Sequence, residues 1–120
     1  MTAGSSPQPT PPPDPEELFR CETTRQDERA HILAIGELDL DTTPLLRAEI
    51  DALRSAGVRH LTLDLSGLDF IDSTGLRLTL DCDAEARRDG FTFALIPGSP
   101  AVQRIFELTD TRAHLPFVDR

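Results

Sequence analysis

The stretch Asp69-Phe70-Ile71-Asp72-Ser73-Thr74-Gly75-Leu76 decides the fold, because it joins two segments of different periodicity. Before it, residues 60–65 alternate apolar and polar side chains, which predicts a β-strand. After it, a segment rich in Leu, Ala and Arg ends at Gly90, which predicts a helix over about residues 74–89. Asp72-Ser73-Thr74-Gly75 is therefore expected where a strand ends and a helix begins.

Two interpretations of Ser73 and Thr74 follow from this position. Either hydroxyl can cap the helix, since Ser and Thr oxygens accept hydrogen bonds from the unpaired N–H groups of a first helical turn. Alternatively, an exposed hydroxyl beside Asp72 can carry a phosphate, which would face the positive end of the helix dipole. The local sequence alone does not choose between them.

The composition excludes several classes of protein. A chain of 120 residues is long enough for one domain with one core. Its net charge is -9 and all of its basic residues are Arg, which argues against nucleic acid or an anionic membrane as a partner. No apolar run is long enough for a signal peptide or a membrane span, so we expect a cytoplasmic protein.

Cysteine and histidine residues are few and scattered. Cys21 and Cys82 lie far apart, and no short metal-binding spacing links them to a histidine. We expect both cysteines to be small apolar core residues in a reducing cytosol, with no metal and no cofactor.

The first 17 residues differ from the rest. They hold six of the ten prolines and have no apolar periodicity, which predicts a disordered tail. A PxxP-type ligand for a partner is the alternative. The folded domain is expected over residues 18–120.

The remaining patterns predict the element order β-β-α-β-α-β-α-β. Strand and helix alternate in the second half, so those strands should be parallel. Glu37–Asp41 is expected in an acidic loop, Thr43 as a helix cap before Pro44, and residues 66–69 as a turn. The strands are predicted near residues 19–23, 31–35, 60–65, 91–96 and 115–118, and the helices at about 44–56, 74–89 and 100–108.

Parallel strands bring their carboxyl ends to one edge of the sheet. The loops at residues 36–41 and 69–75 are therefore expected to meet there. On the long helix that follows, Leu76, Leu80 and Ala84 should share the buried face. Leu78 and Cys82 should lie near the opposite side, either under a second layer or exposed as a partner contact.

Enzymatic chemistry has little support in the sequence. Ser73 lies in no Gly-x-Ser-x-Gly motif, no histidine is placed beside it, and the chain has no Lys for a phosphate-binding loop. Asp39 and Asp72 are paired carboxylates without a sign of an enclosed pocket. We expect no catalytic residues, and a small hydrolase using Ser73 is kept as a third hypothesis.

Three segments together resemble the STAS domain family, in particular the single-domain bacterial anti-sigma factor antagonists. They are residues 36–39 (Gly-Glu-Leu-Asp), residues 69–76, and residues 99–109, which begin Ser-Pro-Ala-Val. The resemblance covers about residues 18–118. It implies an α/β, STAS-like domain with a mixed, mostly parallel sheet of four to five strands and about three helices.

The resemblance also implies a function. In similar proteins the serine after the Asp is phosphorylated by an anti-sigma factor that is a serine kinase, which corresponds here to Ser73, with Thr74 as a second acceptor. The unphosphorylated antagonist binds the kinase and frees the sigma factor, and a phosphatase resets it. We expect a monomer in which the partner-binding environment comprises Asp39, Asp72, Gly75, Leu76, Arg77 and Leu78.

Arg77 departs from the family pattern, where small or apolar residues are common, and it should face solvent one turn from Ser73. The alternative function is a STAS scaffold or small-ligand sensor without a phosphorylation switch.

Overall fold

The computed structural model describes residues 9–118, which form four strands and four α-helices, and strands and helices alternate from the second strand onward. The order of these elements confirms the predicted α/β fold. In chain order they are α1 (Pro15–Leu18), β1 (Phe19–Gln26), β2 (Arg29–Leu38), α2 (Thr43–Ser55), β3 (His60–Ile71), α3 (Ser73–Asp89), β4 (Thr92–Ile96), α4 (Pro100–Leu108) and a 3₁₀ turn (Arg112–His114).

The four strands form one sheet in the order β1-β2-β3-β4. β1 pairs antiparallel with β2, and the β2–β3 and β3–β4 pairs are parallel. The predicted turn at residues 66–69 is wrong, because β3 continues through it to Ile71. The register against β2 shifts twice along this part of the pair, so the irregularity is absorbed as bulges without breaking the strand.

Both crossover helices lie on the same face of the sheet, as right-handed connections require when the strand order runs in one direction. α2 begins one residue earlier than predicted, so Thr42 is the residue before the helix and Thr43 is its first residue. Pro44 lies in the first turn, where its missing N–H has no helical partner to lose.

The buried side of α3 differs from the prediction. Ala84 is exposed and Leu80 is half-buried, whereas Cys82 and Ala86 are buried. Leu78 is buried as well, so the second-layer alternative is the correct one for Leu78 and Cys82. The reason is that α3 contacts β3, β4, α2 and α4, and therefore has more than one covered side.

In the C-terminal part, the predicted cap of α4 is confirmed and the predicted last strand is wrong. The Ser99 hydroxyl caps α4 by accepting a hydrogen bond from the N–H of Val102 at 3.3 Å. The strand predicted at residues 115–118 is only an isolated parallel bridge between Leu95 and Phe117. Phe117 also packs edge-on against the ring of Phe106, a fully buried residue of α4.

The predicted tail lies partly outside the described residues. Residues 9–14 are exposed and form no helix or strand, and Pro15–Leu18 form a single helical turn where no structure was expected. Among residues 9–118, no helix has both the length and the apolar character that crossing a membrane requires.

Candidate functional site

The ends of β2 and β3 hold the start of α3. Leu38 pairs with Ile71 as the last pair of the parallel ladder, and the N–H of Asp72 donates to the carbonyl oxygen of Leu38 at 3.1 Å. The expectation that the two loops meet is thereby confirmed. Ser73 follows at once as the first residue of α3.

Asp72 is the helix cap. One oxygen of its carboxylate, Oδ1, accepts hydrogen bonds from the N–H groups of Thr74 at 2.8 Å and Gly75 at 3.2 Å. Of the two interpretations of Ser73 and Thr74, the helix cap is therefore wrong. Asp72 has extended backbone angles just before the helix, which is the geometry in which a carboxylate reaches the first-turn N–H groups.

The cap leaves the Ser73 side chain without a structural task. Ser73 is exposed, while Thr74 is half-buried beside α2. A partner can therefore reach the Ser73 hydroxyl directly, and Thr74 is the less accessible acceptor.

Two glycines of the quoted segments allow close packing, Gly75 at this helix start and Gly36 where β2 passes Leu18. A Cβ on Gly75 would lie 2.7 Å from Cγ1 of Ile71, so only glycine lets α3 approach the ends of β2 and β3 this closely. At Gly36, where φ is +104°, a Cβ would lie 2.1 Å from the backbone oxygen of Leu18. Both glycines of the quoted segments thus hold the backbone in place.

Asp39 organises its own loop. Its Oδ1 accepts from the N–H groups of Asp41 at 3.0 Å and Thr42 at 3.1 Å. Thr42 has no exposed surface, and its hydroxyl donates to the carbonyl oxygen of Glu37 at 2.7 Å while accepting from the Asp39 N–H at 2.9 Å. Asp39 is thus a loop-closing residue that also adds negative charge near Ser73.

Of the other residues predicted around Ser73, two leucines are buried and Arg77 lies on the surface. Leu76 and Leu78 are each only 7% exposed, and they pack on different sides of α3. The Arg77 side chain is 76% exposed and its Nε donates to Asp81 Oδ1 at 3.2 Å. A shallow groove of about 350 Å³ runs between α2 and α3 and is lined by Thr43, Pro44, Arg47, Thr74, Arg77, Leu78 and Asp81.

Two exposed apolar residues flank the site and escaped the sequence analysis. Leu40 is 70% exposed in the loop after β2, and Phe70 is 48% exposed near the end of β3. Phe70 was detectable, because consecutive strand residues point to opposite faces and Ile71 needed the buried one. The backbone around both carries acidic side chains, namely Glu37, Asp39, Asp41, Asp69 and Asp72.

Metal-binding geometry is not found at the site. Among the described residues, no group of three or more His, Cys, Asp or Glu side chains is arranged to hold a metal ion. The chemistry that the site offers is an exposed hydroxyl at the start of a capped helix, with the Asp72 carboxylate directly before it and the Arg77 guanidinium one turn after it.

Comparison with known proteins places this arrangement in a family. A family model described as "Mlab, STAS domain" matches residues 21–116. The chain belongs to the STAS domain family. The resemblance inferred from the three sequence segments is thus confirmed, and the matched range contains the whole sheet of this STAS domain apart from the first residues of β1.

Similar proteins share a regulatory description. An anti-sigma-B factor antagonist of Staphylococcus aureus is 31% identical over 91 residues, which are 76% of this chain and 84% of that protein. The crystal structure of an anti-sigma factor antagonist from Mycobacterium paratuberculosis is 26% identical with a TM-score of 0.70, covering 82% of this chain and 84% of that one. The anti-sigma factor antagonist SpoIIAA in its unphosphorylated form is 25% identical with a TM-score of 0.69, covering 85% and 87%.

Proposed function

We propose that this STAS domain is an anti-sigma factor antagonist controlled by phosphorylation of Ser73. In its unphosphorylated form it binds an anti-sigma factor that is a serine kinase, and the sigma factor is released. The observation that carries the proposal is the exposed Ser73 hydroxyl on the first residue of α3, beside a carboxylate that already caps the helix. The similarity to SpoIIAA, which is described in unphosphorylated and phosphorylated forms, supports it.

The modification is a phosphoryl transfer from ATP held by the kinase. The Ser73 Oγ attacks the γ-phosphorus, the bond to the ADP oxygen breaks, and the hydroxyl proton passes to a base of the kinase. In this reaction the STAS domain is the substrate, and its own residues supply no catalytic group. Hydrolysis of the phosphoester by a phosphatase restores the hydroxyl.

Electrostatics explains why a phosphate at Ser73 ends binding. It adds about -1.5 to -2 charges at neutral pH, next to Asp72 and close to the loop that begins at Asp39. An interface closed over a neutral hydroxyl would then bury poorly paired negative charge, which typically costs several kcal/mol. A loss of about 3 kcal/mol lowers affinity more than a hundredfold.

The same surface suggests the chemistry of the partner. Asp72 adjoins Ser73 and the loop that holds Asp39 is bonded to Asp72 through Leu38, so the kinase should present Arg or Lys there. Leu40 in that loop and Phe70 near the end of β3 are exposed and offer the kinase apolar contacts. We infer a cytoplasmic, monomeric domain that acts by binding and has no enzymatic activity of its own.

Phosphopeptide mapping tests the site. The protein is incubated with its cognate kinase and ATP, digested, and the phosphopeptides are sequenced, with Ser73→Ala and Thr74→Ala as matched variants. We expect phosphate on Ser73, loss of it in Ser73→Ala, and its retention in Thr74→Ala. Phosphate that lands reproducibly outside Ser73 and Thr74 would disprove the assignment.

A further inference from the structure

The Asp72 carboxylate already occupies the position at the start of α3 where an anion would bind. Asp72 Oδ1 accepts the N–H groups of Thr74 and Gly75, which are donors that an anion at a helix N-terminus would otherwise use. A phosphate on Ser73 would therefore compete with a covalently tethered carboxylate for these donors. A cationic side chain elsewhere on the same face of the helix is therefore the better protein partner for the phosphate.

Arg77 is placed to be that partner. It lies four residues after Ser73, so the two side chains are neighbours on one face of α3, and both are exposed. The guanidinium is held by one ion pair, from its Nε to Asp81 Oδ1 at 3.2 Å, between side chains that are 76% and 51% exposed. Such an exposed pair is weak, so the guanidinium is available.

The order of the charges along the helix favours exchange of partners. An acid four residues before a base is the stronger arrangement, and helical side chains lean toward the N-terminus. Arg77 and Asp81 have the reverse order, whereas a phosphate on Ser73 and Arg77 would have the favourable one. The phosphate also carries up to twice the charge of a carboxylate and can accept two guanidinium N–H groups.

The other cation of the groove is not available in the same way. Arg47 Nη1 donates to Glu85 Oε2 at 2.8 Å and its Nη2 to Asp51 Oδ1 at 2.8 Å. Its side chain is only 31% exposed. Two carboxylates on two helices hold this guanidinium, so Arg77 is the cation of the groove that can move.

We propose that Arg77 is a phosphate-responsive side chain, which pairs with Asp81 when Ser73 is free and with the phosphate when Ser73 is modified. The exchange removes a cation from the Asp81 carboxylate and changes the groove between α2 and α3. Phosphorylation would thus alter a surface more than one helical turn away from Ser73, without a change of fold. This inference rests on the proposed function only in that the phosphate is attached to Ser73.

The test uses the full chain with phosphoserine installed at position 73 by genetic encoding, so no kinase is needed. The pKa of the second phosphate ionisation is measured by ³¹P NMR. A guanidinium contact stabilises the dianion, so Arg77→Gln should raise this pKa by about 0.3 pH units. Arg77→Lys should restore part of the difference. Arg87→Gln is the matched control, because Arg87 is an exposed arginine at the far end of α3, and it should leave the pKa unchanged.

A second comparison tests whether Arg77 leaves Asp81 for the phosphate or only lies near the phosphate. Asp81→Asn removes the competing carboxylate, so it should lower the phosphate pKa more when Arg77 is present than in the Arg77→Gln background. Equal phosphate pKa values with and without Arg77, or equal effects of Asp81→Asn in both backgrounds, overturn the inference. Failure of a kinase to modify Ser73 would appear in the phosphopeptide map and leaves this titration unaffected.

Discussion

The backbone N–H of Asp72 donates to the carbonyl oxygen of Leu38 at 3.1 Å, and this contact ties the residue before Ser73 to the end of the neighbouring strand. The Asp72 side chain then caps α3. The hydroxyl of Ser73 is consequently presented by a backbone that is fixed on both sides. Under the proposed function, a charge added to that hydroxyl changes binding and leaves the fold intact, because Asp72 and not Ser73 caps the helix.

The cap gives the first prediction. Asp72→Ala removes the acceptor for two N–H groups and should lower the free energy of unfolding by about 1 kcal/mol, measured by urea denaturation. Asp72→Asn keeps an accepting oxygen and should lose less. Asp69→Ala, at an exposed strand position, is the control. Equal losses for Asp69→Ala and Asp72→Ala would contradict the assignment of the cap.

The contact at Gly75 gives the second prediction. Alanine is normally favoured over glycine in a helix by about 1 kcal/mol. Here its Cβ would lie 2.7 Å from Ile71 Cγ1 and 3.1 Å from Leu38 Cδ2, so Gly75→Ala should destabilise the protein by about 1–3 kcal/mol. Denaturant unfolding measures whether Gly75→Ala lowers or raises the free energy of unfolding. A stabilised variant would show that α3 does not lie this close to the strand ends.

The ion pairs between α2 and α3 give the third prediction. Glu85 is 17% exposed and accepts from Arg47 at 2.8 Å and from Arg54 at 3.1 Å, and the hydrogen bond from Arg47 is the main reason that the pKa of Glu85 is lowered. Glu85→Gln should therefore reduce stability at pH 7 by about 1–2 kcal/mol. Exposed Glu22, paired with Arg20, provides the control Glu22→Gln, which should change little.

The pH dependence of the Glu85→Gln effect follows from the direction of the pKa shift of Glu85. A lowered pKa means that the ionised Glu85 stabilises the fold above its ordinary pKa of 4.5, and that this contribution disappears as the pH falls through the folded-state value. The stability difference between the wild type and Glu85→Gln should thus narrow below pH 4.5. A difference that stays constant down to pH 2 would show that the charge of Glu85 is not involved.

The cysteines give the fourth prediction. Burial raises the pKa of Cys82 to about 12 and that of Cys21 to about 11. Thiolates are the reactive form, so iodoacetamide at pH 8 should label neither residue appreciably until urea unfolds the chain. Mass spectrometry of the labelled protein measures this. Rapid labelling of Cys82 in the native protein would contradict its place in the core.

Periodicity and composition predicted much of this fold, and particular residues show which features they do not predict. The alternation in residues 60–65 predicted β3 and the glycine at position 90 predicted the end of α3. Burial of one face of a strand or helix places apolar residues at a regular spacing, which the sequence shows. The continuation of β3 through Ser66 and Gly67 was missed, since bulged pairing with β2 depends on a partner strand that local patterns do not contain.

The site shows the same division. The sequence left the cap of α3 and a phosphate acceptor open as roles for Ser73 and Thr74, because Ser, Thr and Asp can all cap a helix. Only the backbone angles and hydrogen bonds of Asp72 assign the cap to Asp72. The burial of Leu78 and Cys82 was left open by the sequence, since it depends on α2 lying against α3. Long-range packing of this kind is not encoded in the spacing of a single helix.

Binding to the kinase tests the central claim most directly. Isothermal titration is carried out with the unmodified protein, Ser73→Ala, Ser73→Asp and the protein phosphorylated on Ser73, after urea denaturation has shown that all four are equally stable. Ser73→Ala should bind like the unmodified protein, Ser73→Asp far more weakly, and the phosphorylated form about a hundredfold more weakly or worse. Equal affinities of the phosphorylated and unmodified proteins would contradict the account.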